Sequence, residues 1–155
     1  MTVAVIGVAR AALLYARGVV TAPTPYIFFP GTAREALGFY AEVFGGAAQL
    51  HTFAEFNRTD GPADAVAHGH LVDAPVALYG ADVAGDQPAF QAQGLMLSLL
   101  GTADAATLRH WFARLAEDGE VLDDLQKRPW GASDGQLVDR FGLHWLIGFE
   151  DDDAA

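Results

Sequence analysis

Asp139-Arg140-Phe141-Gly142-Leu143-His144-Trp145-Leu146 is the stretch from which the rest of the chain can be ordered. An aspartate with a glycine three residues on is turn chemistry, and the apolar run Leu143 to Phe149 behind it suits a half-buried strand. Working back toward the N-terminus, Pro129-Trp130-Gly131 is a second breaker, and it separates candidate strands at Glu120 to Leu125 and Gln136 to Val138. Before them, Leu108, Trp111, Phe112 and Leu115 fall at i, i+3, i+4 and i+7, an amphipathic helix opened by Gly101-Thr102-Ala103-Asp104 and ended at Asp118-Gly119. The apolar strand Leu95 to Leu100 precedes that helix, so the C-terminal half reads strand, helix, strand, strand, strand.

The N-terminal half repeats the order. Tyr26-Ile27-Phe28-Phe29 is a β-favouring run ended by Pro30-Gly31. Thr32 and Glu35 have capping-box spacing, and Ala33, Ala36, Leu37, Tyr40, Val43 and Phe44 form an apolar stripe stopped by Gly45-Gly46. Strands are then expected at about Ala48 to Phe56, Ala65 to Val72 and Val76 to Ala81, the last two joined tightly through Asp73-Ala74-Pro75. Thr32 and Thr102 are taken as matching helix starts, which makes each unit about 70 residues long. Internal duplication in an α+β chain is therefore the organising expectation: modules at about 23–82 and 93–150 form one domain over 23–150.

Composition narrows the partners. The formal net charge of −11, with nine Lys and Arg scattered singly, argues against nucleic acid or an anionic membrane surface as a partner. The absence of cysteine removes disulfides, thiolate ligands and a Cys nucleophile, and fits the cytoplasm. Met1 to Ala22 is an apolar leader interrupted by Arg10 and Arg17, unlike a secretory signal and unsuited to spanning a bilayer. It is read either as a short helix around Ala11 to Arg17 lying on the domain or as a poorly ordered leader. The acidic C-terminal residues, Glu150 to Asp153 within a tail at 151–155, are read as a solvated end.

Two successive βαβββ units resemble the vicinal oxygen chelate superfamily, which includes glyoxalase I, extradiol dioxygenases and bleomycin resistance proteins. Local wording is similar to its PhnB-like branch: Pro25-Tyr26-Ile27-Phe28-Phe29, then Ala33-Arg34-Glu35-Ala36-Leu37-Gly38-Phe39-Tyr40 through Phe44-Gly45-Gly46, then Trp130-Gly131, Gly135 and Asp139 to Trp145. The resemblance implies an incomplete eight-stranded barrel of two modules, an internal pocket and a homodimer. It also implies where a divalent metal would be held. Counting from the matched residues puts those positions at Pro25, among Val76, Ala77 and Leu78, near Gly94, and at Leu146, none of which supplies an imidazole or carboxylate. No cofactor is expected.

The other candidates are read from the residues. His68-Gly69-His70 points two imidazoles to one strand face; they could join a carboxylate such as Glu55, or His51, around a divalent metal, and the blander role is hydrogen bonding within the sheet. His110 and His144 are expected at the surface. Ser98 lacks a nucleophile elbow, and Glu35, Asp64 and Asp134 show no recognisable pairing with each other or with Glu55. An aromatic pocket is expected from Tyr26, Phe28, His68, His70, Tyr79, Ser98, Trp130 and Trp145, although aromatics at strand spacing more often fill a core. The functional expectation is a protein that binds a small organic molecule in this pocket. The alternative is an isomerase, lyase or ring-modifying enzyme using His68, His70 or a carboxylate such as Glu55, with or without a non-standard metal.

Overall fold

The computed structural model describes residues 22–151; the expected leader, apart from Ala22, and the tail beyond Asp151 lie outside the described residues. The first module runs β1 (Tyr26–Phe29), α1 (Ala33–Phe44), β2 (Ala47–Thr52), β3 (Val66–Val72) and β4 (Tyr79–Asp82). The second runs β5 (Leu97–Leu100), α2 (Ala105–Leu115), β6 (Glu120–Lys127), β7 (Ala132–Val138) and β8 (His144–Glu150). Each module forms its own four-stranded mixed sheet, in the orders β1-β4-β3-β2 and β5-β8-β7-β6. The pairing is matched in both: β1 lies parallel to β4 as β5 does to β8, and all other neighbours are antiparallel. The two sheets do not close into a single barrel.

Each helix covers one face of its own sheet, because strand alternation sends every second residue toward it. Ile27, Phe29, Leu37, Tyr40, Phe44 and Leu71 from the first module join Leu108, Trp111, Leu137, Trp145 and Ile147 from the second in one buried cluster. Phe44 makes the join, with its ring centroid 5.2 Å from that of Trp111 and 5.6 Å from that of Trp145. The modules therefore share a core on their helix side, and the opposite face of each sheet is left free.

Two helix starts differ from their sequence readings. Thr32 precedes α1, but its side chain makes no cap hydrogen bond. The Ala33 amide donates instead to Asp82 Oδ1 at 2.9 Å, and the other oxygen of that buried carboxylate accepts from the Val66 amide at 2.8 Å. A carboxylate from the end of β4 thus supplies the anion that the helix N-terminus favours, and it ties α1 to β3. In α2 the N-cap is Asp104, which accepts from the Thr107 amide at 2.9 Å, so Asp104 rather than Thr102 corresponds to Thr32.

Strand ends also shift. The second strand stops at Thr52 because Phe53 to Asn57 turn, with Asn57 at φ 52°, and β4 begins at Tyr79 rather than Val76. Asp151, expected in a solvated tail, accepts from Ser133 Oγ at 3.0 Å and stands 3.7 Å from Lys127 Nζ, anchoring the end of β8 to β7 and β6.

Candidate functional site

The free face of the first sheet is set by β3. A Cβ added at Gly69 would lie 2.6 Å from Leu37 Cδ1 on α1, so Gly69 faces the helix and the flanking His68 and His70 face away from it. Register then brings neighbours alongside. His51 on β2 is the cross-strand partner of His68, Tyr79 on β4 is the partner of His70, and Tyr26 on β1 lies opposite Tyr79. The rings touch: centroids are 5.4 Å apart for Tyr26 and Phe28, 5.7 Å for Tyr26 and His68, 5.5 Å for His68 and His70, and 5.5 Å for His70 and Tyr79. Five of the residues expected in the pocket, Tyr26, Phe28, His68, His70 and Tyr79, therefore gather on one face. Tyr26 is 43% exposed and Tyr79 38% exposed, so this face is an open platform.

The platform is polar at its centre and carries little positive charge. Tyr26 Oη and His68 Nδ1 are 3.1 Å apart. Burial pushes the Tyr26 phenol up, opposed by the charge of Arg58, while burial and then the neighbouring His70 and His51 push the His68 imidazole down. His70 is likewise lowered by burial and then by His51. The tyrosine is thus the donor and a neutral His68 the acceptor, which assigns the remaining hydrogen to His68 Nε2. The Nδ1 of His70 is buried and has no hydrogen-bond partner. Arg58, the nearby cation, is held by Asp60 at 2.5 and 2.9 Å and lies over the Phe53 ring.

The other candidates lie elsewhere. Glu55 closes the turn after β2, accepting from the Thr52 amide and hydroxyl at 2.5 and 2.9 Å, bonds that hold its carboxyl below the usual range. Ser98 and Trp145 border a cavity of about 370 Å³ between the modules, together with Pro25, Val76, Ala77 and Leu78. Two of the four positions implied for a metal ligand, Pro25 and the one among Val76, Ala77 and Leu78, thus meet at this cavity without an imidazole or carboxylate, and a third, Leu146, is the β8 partner of Ser98. Trp130 sits in the β6–β7 turn, 72% exposed and away from both places. Among the described residues, no group of three or more His, Asp or Glu side chains is close enough to hold a metal ion.

Sequence reasoning passed over Asp139 as a turn former. Its buried carboxylate collects four donors: the Phe141 and Leu143 amides at 2.9 and 3.1 Å on Oδ1, and the Tyr40 hydroxyl and Trp145 Nε1 at 2.7 and 2.8 Å on Oδ2. One side chain from the second module thereby grips the helix of the first. Burial and then the Asp139 charge drive the Tyr40 phenol strongly up, so it stays a donor. The turn signature read from sequence is consistent with the two amide bonds but carries no sign of the aromatic partners, which arrive from α1 and β8.

Two βαβββ modules, each with one parallel outer strand pair and a helix on one sheet face, define a class of proteins built by duplication. Residues 23–147 match the family described as the Glyoxalase/Bleomycin resistance protein/Dioxygenase superfamily, and the chain belongs to it. Protein PA1353 from Pseudomonas aeruginosa is similar at 31% identity over 86% of this chain and all of that one, with a TM-score of 0.71. A PhnB protein from Bacillus cereus is similar in fold, with a TM-score of 0.66 at 22% identity, over 83% of this chain and 99% of that one. Protein YjdN of Escherichia coli is 24% identical over 140 residues, which cover 80% of this chain and 92% of its own length.

Proposed function

We propose that this chain binds a small organic molecule on the open face of its first sheet, without the metal ligands usual in its superfamily, and that it does so as a homodimer in the cytoplasm. The observation that carries the reading is the convergence of Tyr26, Phe28, His68, His70 and Tyr79, drawn from three strands, into one exposed set of touching rings. Such surface is costly to leave in water, and its few polar atoms are placed to orient a guest. Among the described residues no helix is long and apolar enough to cross a membrane.

The test is a small-molecule screen read on the imidazole resonances of His68 and His70. A saturable ligand that moves both, and loses affinity at least tenfold in Tyr26→Ala, supports the reading. A stoichiometric metal lost on His68→Ala and His70→Ala would overturn its metal-free part. Sedimentation showing only monomer would overturn the dimer.

A second reading, favoured by the Tyr26–His68 hydrogen bond, makes the chain an enzyme of the isomerase, lyase or ring-modifying kind that moves a proton through this pair. Tyr26→Phe separates the two, since it would abolish turnover while leaving most of the binding surface in place.

A further inference from the structure

The open face of the first sheet presents ring surface and uncharged polar atoms. Besides Tyr26, Phe28, His68, His70 and Tyr79 it includes His51, the cross-strand partner of His68, whose ring stacks on that of exposed Phe56 at 5.6 Å and 17°. The titratable groups that face the imidazoles are Tyr26 from β1, His51 from β2, Tyr79 from β4, and Glu55 from the turn after β2, whose charge acts on His51. Arg58 reaches Tyr26 with its charge but is paired with Asp60, and Arg34 of α1 acts on Glu55. The charges at the rim thus cancel in pairs. Among the described groups acting on this face no cation is spare for an anionic guest, and the chain as a whole is formally −11, which favours the approach of a cation.

The polar atoms narrow the choice further. Tyr26 and His68 bond at 3.1 Å on the exposed side of the sheet, and with the hydroxyl hydrogen on His68 Nδ1, Tyr26 Oη keeps only lone pairs for a guest. His70 does not readily charge, because its Nδ1 is buried without a partner and an imidazolium must carry an N–H there. Ring faces and an oxygen lone pair are both negative, and together they attract a positive group that can donate.

We infer that the guest of this face is a protonated amine of a small, largely apolar molecule, with its N–H donating to Tyr26 Oη and the rest of the molecule on the exposed rings of Tyr26 and Tyr79. The inference rests on the small-molecule reading above and names the charge class of that molecule. A pH signature follows. Protonating His68 reverses the bond to Tyr26, since Nδ1 becomes the donor and the phenol hydrogen turns toward the guest, and it sets a like charge beside the ammonium. Affinity should therefore fall as pH drops below about 6.5, the value of a free imidazole, while the amine itself stays charged.

The probes are benzylamine, benzyl alcohol and benzoate, titrated into the full chain at pH 7.5 and followed on the His68 and His70 imidazole resonances. Benzylamine should bind saturably and about tenfold more tightly than benzyl alcohol, and benzoate should give no saturable shift. Repeated at lower pH until those resonances show both imidazoles protonated, the titration should lose about fivefold in benzylamine affinity for each imidazole that charges, with little change for benzyl alcohol. Tyr26→Phe keeps the ring and removes the oxygen, so the preference for amine over alcohol should narrow to about threefold. Benzyl alcohol or benzoate binding as tightly as benzylamine, or a benzylamine affinity that holds or rises on acidification, would overturn the inference, and none of these measurements uses a variant. Each of them leaves the platform reading standing, because a saturable response at His68 and His70 has then been seen. Absence of any response to benzylamine overturns the inference as well, and the platform reading falls with it only when the wider screen also leaves both imidazoles unmoved.

Discussion

The two modules share a fold and differ on their open faces. β3 reads Val66-Ala67-His68-Gly69-His70-Leu71-Val72 and β7 reads Ala132-Ser133-Asp134-Gly135-Gln136-Leu137-Val138, so Gly69 matches Gly135 and Leu71 matches Leu137. At the two outward positions, His68 and His70 are replaced by Asp134 and Gln136. Asp134 and Asp123 are occupied by Arg128, which bridges their carboxylates, whereas on the first sheet His70 Nδ1 has no hydrogen-bond partner. Inward residues of a duplicated module must still fill the core, while outward ones can diverge. Here the first sheet retains exposed aromatic and imidazole chemistry, and the second ties up its charges internally.

The buried carboxylates give the sharpest contrast. Asp82 serves two backbone donors within one module, and Asp139 serves four donors across both. Asp139→Ala should cost about 3–4 kcal/mol, since it strands an indole N–H, a phenol and two amides, and Asp82→Ala about 2 kcal/mol. Asp139→Asn should fall near the alanine value, because an amide NH2 placed on the Oδ2 side would confront the Trp145 N–H. Urea unfolding of the three variants measures this, and equal losses for Asp82→Ala and Asp139→Ala would break the proposed asymmetry.

The matched glycines come next. A Cβ at Gly135 would lie 2.7 Å from the backbone Cα and N of Leu125, which cannot move without shifting β6. At Gly69 it meets Leu37 Cδ1 at 2.6 Å and Leu50 Cδ2 at 2.7 Å, the far ends of flexible side chains. Gly135→Ala should therefore destabilise by about 2–3 kcal/mol and Gly69→Ala by about 1 kcal/mol. Reversal of that order in thermal unfolding would show that β6 gives way more easily than the α1 face.

How far all this could be read from sequence follows the range of each interaction. Period-2 alternation placed Tyr26 with Phe28 and His68 with His70, and the repeated order of elements defined the modules, since both signals are local. The Asp82 cap was invisible because its helix lies 49 residues upstream of it, and Thr32 with Glu35 offered a nearer pairing that α1 does not use. Aromatic character alone suggests a pocket role for Trp145, yet β8 turns it toward Tyr40 and Phe44 and turns His144 and Leu146 the other way.

The smallest expected effect is in the pH dependence of stability, where the two sheets should act in different windows. His68 and His70 have folded pKa values depressed below the unfolded value near 6.5, so the fold favours their neutral forms. Their contribution is complete above about 6.5 and declines as pH falls through that value toward the depressed folded pKa values, below which it is gone. In the second sheet, the hydrogen bond from Arg128 holds the Asp123 carboxyl below the usual range, so its contribution persists until the pH drops below about 4. Replacing His68 and His70 by glutamine should flatten the slope of the urea midpoint as pH falls below about 6.5 while leaving the acid limb unchanged. Asp123→Asn should do the reverse. If the double histidine variant keeps the wild-type slope, the imidazoles titrate as freely as in an unfolded chain, and the platform is more open to water than the contacts among its rings imply.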